Sequence, residues 1–211
     1  MADRHGPESP VRSWRAWLQL IVGLAGFAFS VTLMVRSGLG LGPWDAFHVG
    51  LSRRMGISIG AASILVGVLI VAGSWFIGVR PGVGTLANML LIGLFIDLML
   101  GVMPPAPGWG VGLVMHVAGI VICGLFTGFY MASGMGNGPR DGLIVGLCLR
   151  TGRSILLVRT LVEVSALAVG WMLGGPVGVG TLLFAFGIGP AMQWGMRVCG
   201  VDEELTPVTE G

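Results

Sequence analysis

Residues 37–100, opening SGLGLGPWDAFHVGLSRRMGIS, recur without a gap as residues 133–196, opening SGMGNGPRDGLIVGLCLRTGRS. The shift is constant, so Gly38 falls on Gly134, Pro43 on Pro139, Asp45 on Asp141, Gly50 on Gly146, Gly56 on Gly152 and Trp75 on Trp171. The GVGT of Gly82 to Thr85 likewise falls on that of Gly178 to Thr181. About 26 of the 64 aligned positions are identical. Shared hydrophobicity does not hold Gly, Pro, Asp and Trp in register over such a length, so the chain is built from a duplicated structural unit. Each half must fold in the same order as the other, and the surface where the two meet is the first place to look for a working site.

The setting of that unit follows from composition. The chain is 54% apolar and only 10% charged, too little charge to cover the surface of a soluble domain of this size. It reads as an integral membrane protein whose principal partner is the lipid bilayer. A formal charge of +2, with every basic residue an Arg and no basic stripe, argues against nucleic acid. Cys123, Cys148 and Cys199 sit at unrelated spacings in apolar segments and form no metal or redox motif. No metal and no cofactor is expected.

Six segments are long and apolar enough for a hydrocarbon core of about 30 Å, which takes about 20 residues of helix. They run 16–36, 58–78, 84–103, 112–132, 155–173 and 179–198. Trp14, Trp17, Trp75, Trp171 and Trp194 lie at or near their ends, as interfacial anchors do. Two shorter apolar pieces, 43–52 and 139–149, start with Pro after a Gly-rich run, which presets the first turn of a helix. Ten residues reach only about 15 Å, so these are half-helices, re-entrant or interfacial.

The expected fold is therefore an all-α membrane protein of six transmembrane helices in two inverted three-helix repeats, each with one half-helix. An odd number of spans per repeat is what inverts the second half. The expected division is an N-terminal disordered arm over 1–15, a first membrane repeat over 16–103 and a Pro/Gly loop over 104–111. A second repeat over 112–199 and an acidic tail over 200–211 complete one membrane domain. Arginine placement gives the direction. With both termini in the cytoplasm of a bacterium, Arg4, Arg12, Arg15, Arg80, Arg140, Arg150, Arg153 and Arg197 fall on the cytoplasmic side of the inner membrane, and Arg36, Arg53 and Arg54 on the outer side.

The block G-x-G-x-G-P-x-D appears at Gly38 to Asp45 and again at Gly134 to Asp141. Its structural reading is a capped helix start: Gly40, Gly42 and Pro43 in one half, and Gly136, Gly138 and Pro139 in the other, form the turn. Asp45 and Asp141 then answer the positive end of the helix dipole. Its functional reading is that both half-helix starts face one cavity near the midplane, where carboxylates and open backbone groups meet a polar solute or ion.

His48 lies three residues after Asp45 and shares its helix face, a geometry fit for proton relay, although its repeat mate is Ile144. Arg159 and Glu163 stand four apart in the fifth segment, where mutual neutralisation is the expected answer to the cost of intramembrane charge. Asn88 and Asp97, in the third segment, are nine apart and do not share a face. Asp97 has no obvious local partner, and His116 in the fourth segment is first a hydrogen-bonded structural residue. Asp45, Asp141, His48, Asn88, Asp97, Arg159 and Glu163 are the candidates for a solute or ion path. No phosphate-binding loop, nucleophile elbow, zinc-protease or dinucleotide motif is present, so no enzyme is expected and no catalytic residue is assigned.

The run GLGLGPWDAFHVGLSRRMGISIG, followed by G-x-R-P-G-V-G-T-L-A-N and G-L-F-I-D, resembles the bacterial YczE-like membrane proteins, related to YyaS and the wider YitT group. The likeness runs from about Gly38 to Gly195. It implies a multi-spanning bacterial membrane protein, commonly described with about five spans, and assigns no activity. The second repeat departs from the pattern with Arg140 for Trp44 and with Pro176 shifted against Pro81. The expected function is a secondary transporter or permease for a small polar or anionic solute. A non-transporting scaffold or accessory protein is the alternative, and a homo-oligomer is compatible with either.

Overall fold

The computed structural model describes residues 13–79, 81–136 and 138–201. Eight α-helices and no strand occur among them. In order they are α1 (Trp14–Ser37), α2 (Pro43–Met55), α3 (Ile59–Phe76), α4 (Val83–Val102), α5 (Trp109–Met131), α6 (Pro139–Thr151), α7 (Ile155–Met172) and α8 (Val179–Val198). Helix starts at Trp14, inside the stretch expected as a disordered arm. The rest of that arm, the tail from Asp202, and Arg4, Arg12 and Arg80 lie outside the described residues.

The duplication governs helix boundaries to the residue. The pairs α2 and α6, α3 and α7, and α4 and α8 have the same lengths (13, 18 and 20 residues) at the same shift. The stops are chemical. Gly56 and Gly152 end the half-helices at φ 68° and 65°, a left-handed conformation that costs a glycine nothing. Ser58 and Ser154 start α3 and α7 by accepting bonds from Ala61 N–H and Leu157 N–H. The half-helices are therefore longer than the ten or eleven residues expected, and Gly50 and Gly146 lie within them as packing positions. A side chain at Gly50 would meet the Gly170 carbonyl, and one at Gly146 would meet Ile77.

Five helices are long and apolar enough to cross a membrane: α1, α3, α4, α5 and α7. The expectation was six. Helix α8 has the length, but Pro190, Gln193 and Arg197 interrupt its apolar run.

The core is the α1–α5 pair, with α4 against α1 and α8 against α5. Gly23 lies against Tyr130 and Gly119 against Met34, so α1 and α5 cross closely and antiparallel. Tyr130 is the mate of Met34, so these two contacts are one contact repeated by a local two-fold.

The half-helices then cross over, α2 packing on α7 and α6 on α3. Backbone bonds tie the exchange together. Gly84 N–H donates to Met135 O at 3.0 Å, and its mate Gly180 N–H donates to Leu39 O at 2.7 Å. Arg53 donates to Gly174 O at 2.6 Å and Arg150 to Phe76 O at 2.9 Å, so each half-helix ends with a cation on the C-terminal carbonyls of the other half's helix.

Candidate functional site

The crossing places the starts of α2 and α6 in the middle of the molecule, around a cavity of about 450 Å³ to which all eight helices contribute. At that size it falls within the range of small-molecule sites. Gly42 and Gly138, both extended at the cap position, are followed by Pro43 and Pro139 at the first helical turn, and neither glycine can close its own cap with a side chain. Four of the six block residues, Gly42, Pro43, Gly138 and Pro139, line the cavity. Gly40 and Gly136, at φ 105° and 126°, are not among its lining and instead make the turns that lead to it. A side chain on Gly40 would strike Gly178 N at 2.4 Å, so the turn there is also a point of close backbone approach.

Asp45, His48, Asn88, Asp141, Arg159 and Glu163 all face this one cavity. His48 Nδ1 lies 4.0 Å from Asp45 Oδ1, with the two side chains 5% and 12% exposed. Arg159 Nε donates to Glu163 Oε1 at 3.2 Å along α7. Asn88 is buried beside the Gly138 cap. Its mate Phe184 lays its ring on the other cap, where a side chain on Gly42 would meet it at 2.6 Å. One half-helix start is thus faced by an amide and the other is covered by an aromatic ring.

Asp97 stands apart from the cavity lining. Its partners are distant in the chain: it accepts from Ser58 Oγ and, at 2.7 Å, from Gly60 N–H, and so holds the first turn of α3. His116 is fully buried and structural. Its Nε2–H donates to Gly180 O at 2.9 Å, and Nδ1 lies 3.1 Å from Ser37 Oγ, joining the end of α1 to the start of α8.

Two residues missed as site members are Trp44 and Arg140. The Arg140 guanidinium lies over the Trp44 ring at 5.0 Å, inside the cavity. Its charge therefore acts at the site rather than at the cytoplasmic surface. The two are repeat mates, and a residue that touches its own mate sits on the local two-fold. Their mismatch was visible in the aligned repeats, and the axis was the missing piece. Gln193, the mate of Asp97, also lines the cavity. The arrangement offers two guanidiniums, three carboxyls, an imidazole and amides around an otherwise apolar chamber, a set suited to holding a polar group by ion pairing and hydrogen bonds. Among the described residues no group of three or more His, Cys, Asp or Glu is placed to hold a metal ion.

Comparison with known proteins places this architecture. A family of unknown function, DUF6198, matches residues 14–197, which span α1 to α8. The uncharacterized membrane protein YczE of Bacillus subtilis is 36% identical over 85% of both chains. An uncharacterized protein of Haemophilus influenzae is 34% identical over 85% of this chain and 82% of its own length. The uncharacterized protein YyaS of Bacillus subtilis is 31% identical over 77% of this chain and 83% of its own. No solved structure matches the chain. With its run of apolar helices and its match across nearly its whole length, the chain is a multi-pass membrane protein that belongs to the DUF6198 family.

Proposed function

We propose that this protein is a secondary transporter or permease for a small polar or anionic solute, with the central cavity as its binding site. The observation that carries the reading is the meeting of both half-helix starts, Asp45, Asp141 and Arg140 at one chamber on the local two-fold. Discontinuous helices that begin at the midplane of paired repeats are the recurrent architecture of solute sites in transporters. In this reading α8 is the sixth span, the halves are inverted, and α2 and α6 enter from opposite faces of a bacterial inner membrane. Support comes from the antiparallel packing of α1 against α5, since mates that run in opposite directions are what an inverted repeat requires. Both termini are assigned to the cytoplasm, where Arg15, Arg150, Arg153 and Arg197 outnumber Arg36, Arg53 and Arg54 on the other side.

The test is counterflow of small carboxylates, phosphate and zwitterionic amino acids in proteoliposomes. At least one solute should exchange, and Asp45→Asn with Asp141→Asn should reduce that exchange at least tenfold in a protein that still folds. Absence of exchange for every solute would leave the non-transporting scaffold. Cysteine labelling that put the Arg53 and Arg150 loops on one side of the membrane would sink the inverted arrangement.

A further inference from the structure

The cavity is walled unevenly. Helices α3 and α4 pack along their length, with Gly60 against the Gly93 carbonyl and Gly67 against Met89. The mates of those residues are Leu156, Gly189, Glu163 and Ala185, and among the described residues α7 and α8 make almost no contact. The small residues of the first pair let two backbones touch. In the second pair one partner is a branched side chain and another a carboxylate already held by Arg159. Nothing lies within 4 Å of where a side chain on Gly189 would sit. Ala185, Gly189 and Gln193 line the cavity and are at the same time exposed, so the chamber opens sideways between α7 and α8. Pro190 adjoins this opening and removes one backbone bond from α8.

We propose that this cleft is a lateral portal, and that the cavity takes a single-chain anionic amphiphile from the bilayer. The proposal rests on the cavity being the working site, though not on transport. The occupant is chosen by the chemistry on either side of the portal. In the chamber Arg140 is in no close ion pair among the described residues: the Asp45 and Asp141 carboxyls feel its charge without closing on it, so its guanidinium keeps donors for an anionic head. Apart from Gln193, the α8 wall of the cavity is apolar, through Phe184, Ile188, Met192 and Met196, and this suits an alkyl chain. A small hydrophilic anion would use the first feature and leave the second wet. Glu163 at the mouth is neutralised by Arg159, so the entrance does not repel a negative head.

The experiment is native mass spectrometry of the full-length chain released from neutral-detergent micelles, after incubation with dodecyl phosphate, inorganic phosphate or dodecyl maltoside. One dodecyl phosphate should be retained per chain, at least tenfold more than either other probe. Arg140→Gln should lower that retention at least tenfold. Filling the portal with Ala185→Met and Gly189→Leu should lower the ratio of dodecyl phosphate to inorganic phosphate by a similar factor. Equal retention of dodecyl phosphate and inorganic phosphate would overturn the portal while leaving the small-solute reading intact. Absence of an adduct would overturn it too, whether the chain is a monomer or a dimer that the portal variants dissolve; such a dimer would mean that a second copy covers the cleft.

If the double variant does not fold, Gln193→Cys in a background without Cys123, Cys148 and Cys199 reads access directly. N-dodecylmaleimide should then react at least tenfold faster than a charged maleimide of the same reactivity, and equal rates would overturn the proposal.

Discussion

Helix pairs α3–α4 and α7–α8 come from the same stretch of the repeat, with equal lengths and the same N-cap residues, yet one pair is a closed wall and the other a cleft. The serine starts of α3 and α7 are shared and do not explain the difference. It lies on the facing surfaces, where three of four aligned positions differ. Where the first pair has Gly60, Gly67, Met89 and Gly93, the second has Leu156, Glu163, Ala185 and Gly189. Helices in lipid gain little from hiding apolar surface, since the surrounding tails are equally apolar, and they associate by close van der Waals fit. Removing the small residues from one face of a pair therefore removes the reason for the pair to close. A duplicated fold can keep its backbone plan and still acquire an opening on one side only.

Exchanging residues between the two pairs should break this contrast most severely at Gly60. A Cβ there would stand 2.0 Å from the Gly93 carbonyl oxygen and 2.6 Å from the Asp97 carboxyl. Gly60→Leu, which copies Leu156, should cost about 3 kcal/mol through overpacking. The reverse change, Leu156→Gly, should cost only about 1 kcal/mol of helix propensity. Equilibrium unfolding in mixed micelles measures both, and equal losses would mean that the two walls do not differ in packing.

A smaller effect separates the mates Gly93 and Gly189. Gly93→Ala presses on the Gly60 carbonyl at 2.6 Å and should cost about 2 kcal/mol. Gly189→Ala enters open space and should be neutral or stabilise by about 0.5 kcal/mol, through helix propensity and a less flexible unfolded chain. Thermal unfolding of the two single variants would sharpen the comparison. A loss at Gly189 as large as that at Gly93 would place another helix in the cleft.

The smallest difference is expected at the serine caps. Ser58→Ala and Ser154→Ala each remove a cap bond worth about 1 kcal/mol. Ser58 also donates to Asp97, whereas Gln193, the mate of Asp97, faces the cavity. Ser58→Ala should therefore cost about 1 kcal/mol more than Ser154→Ala. Against an Asp97→Asn background that surplus should shrink, which a double-mutant cycle measures.

How far the site could be read from the letters depended on the range of the interaction. Asp45 and His48 are neighbours because three residues along a helix bring side chains to one face, and Arg159 and Glu163 because four do. Asp97 showed no local partner because the groups it binds, Ser58 and Gly60, lie at the start of another helix. Arg140 was counted among the cytoplasmic arginines, because its inward turn onto Trp44 is a contact with no local signature. The sixth span was less secure than its length suggested, since Pro190 and Gln193 dilute α8.

The sequence by itself determined the duplicated unit, the order of long and short helices and nearly all of their ends. Those features are set by forces a few residues in reach: glycine's freedom at positive φ, proline's fit to a first turn, and serine's bond to a free N–H. Only the tertiary structure decided that the half-helices cross to the opposite half, that Trp44 and Arg140 meet on the two-fold, and that one wall stays open. In a membrane protein the lipid-facing and buried surfaces are both apolar, so hydrophobic pattern marks a helix without marking which of its faces meets another. That choice is made by shape between helices far apart in the chain, and it is there that the cavity was formed.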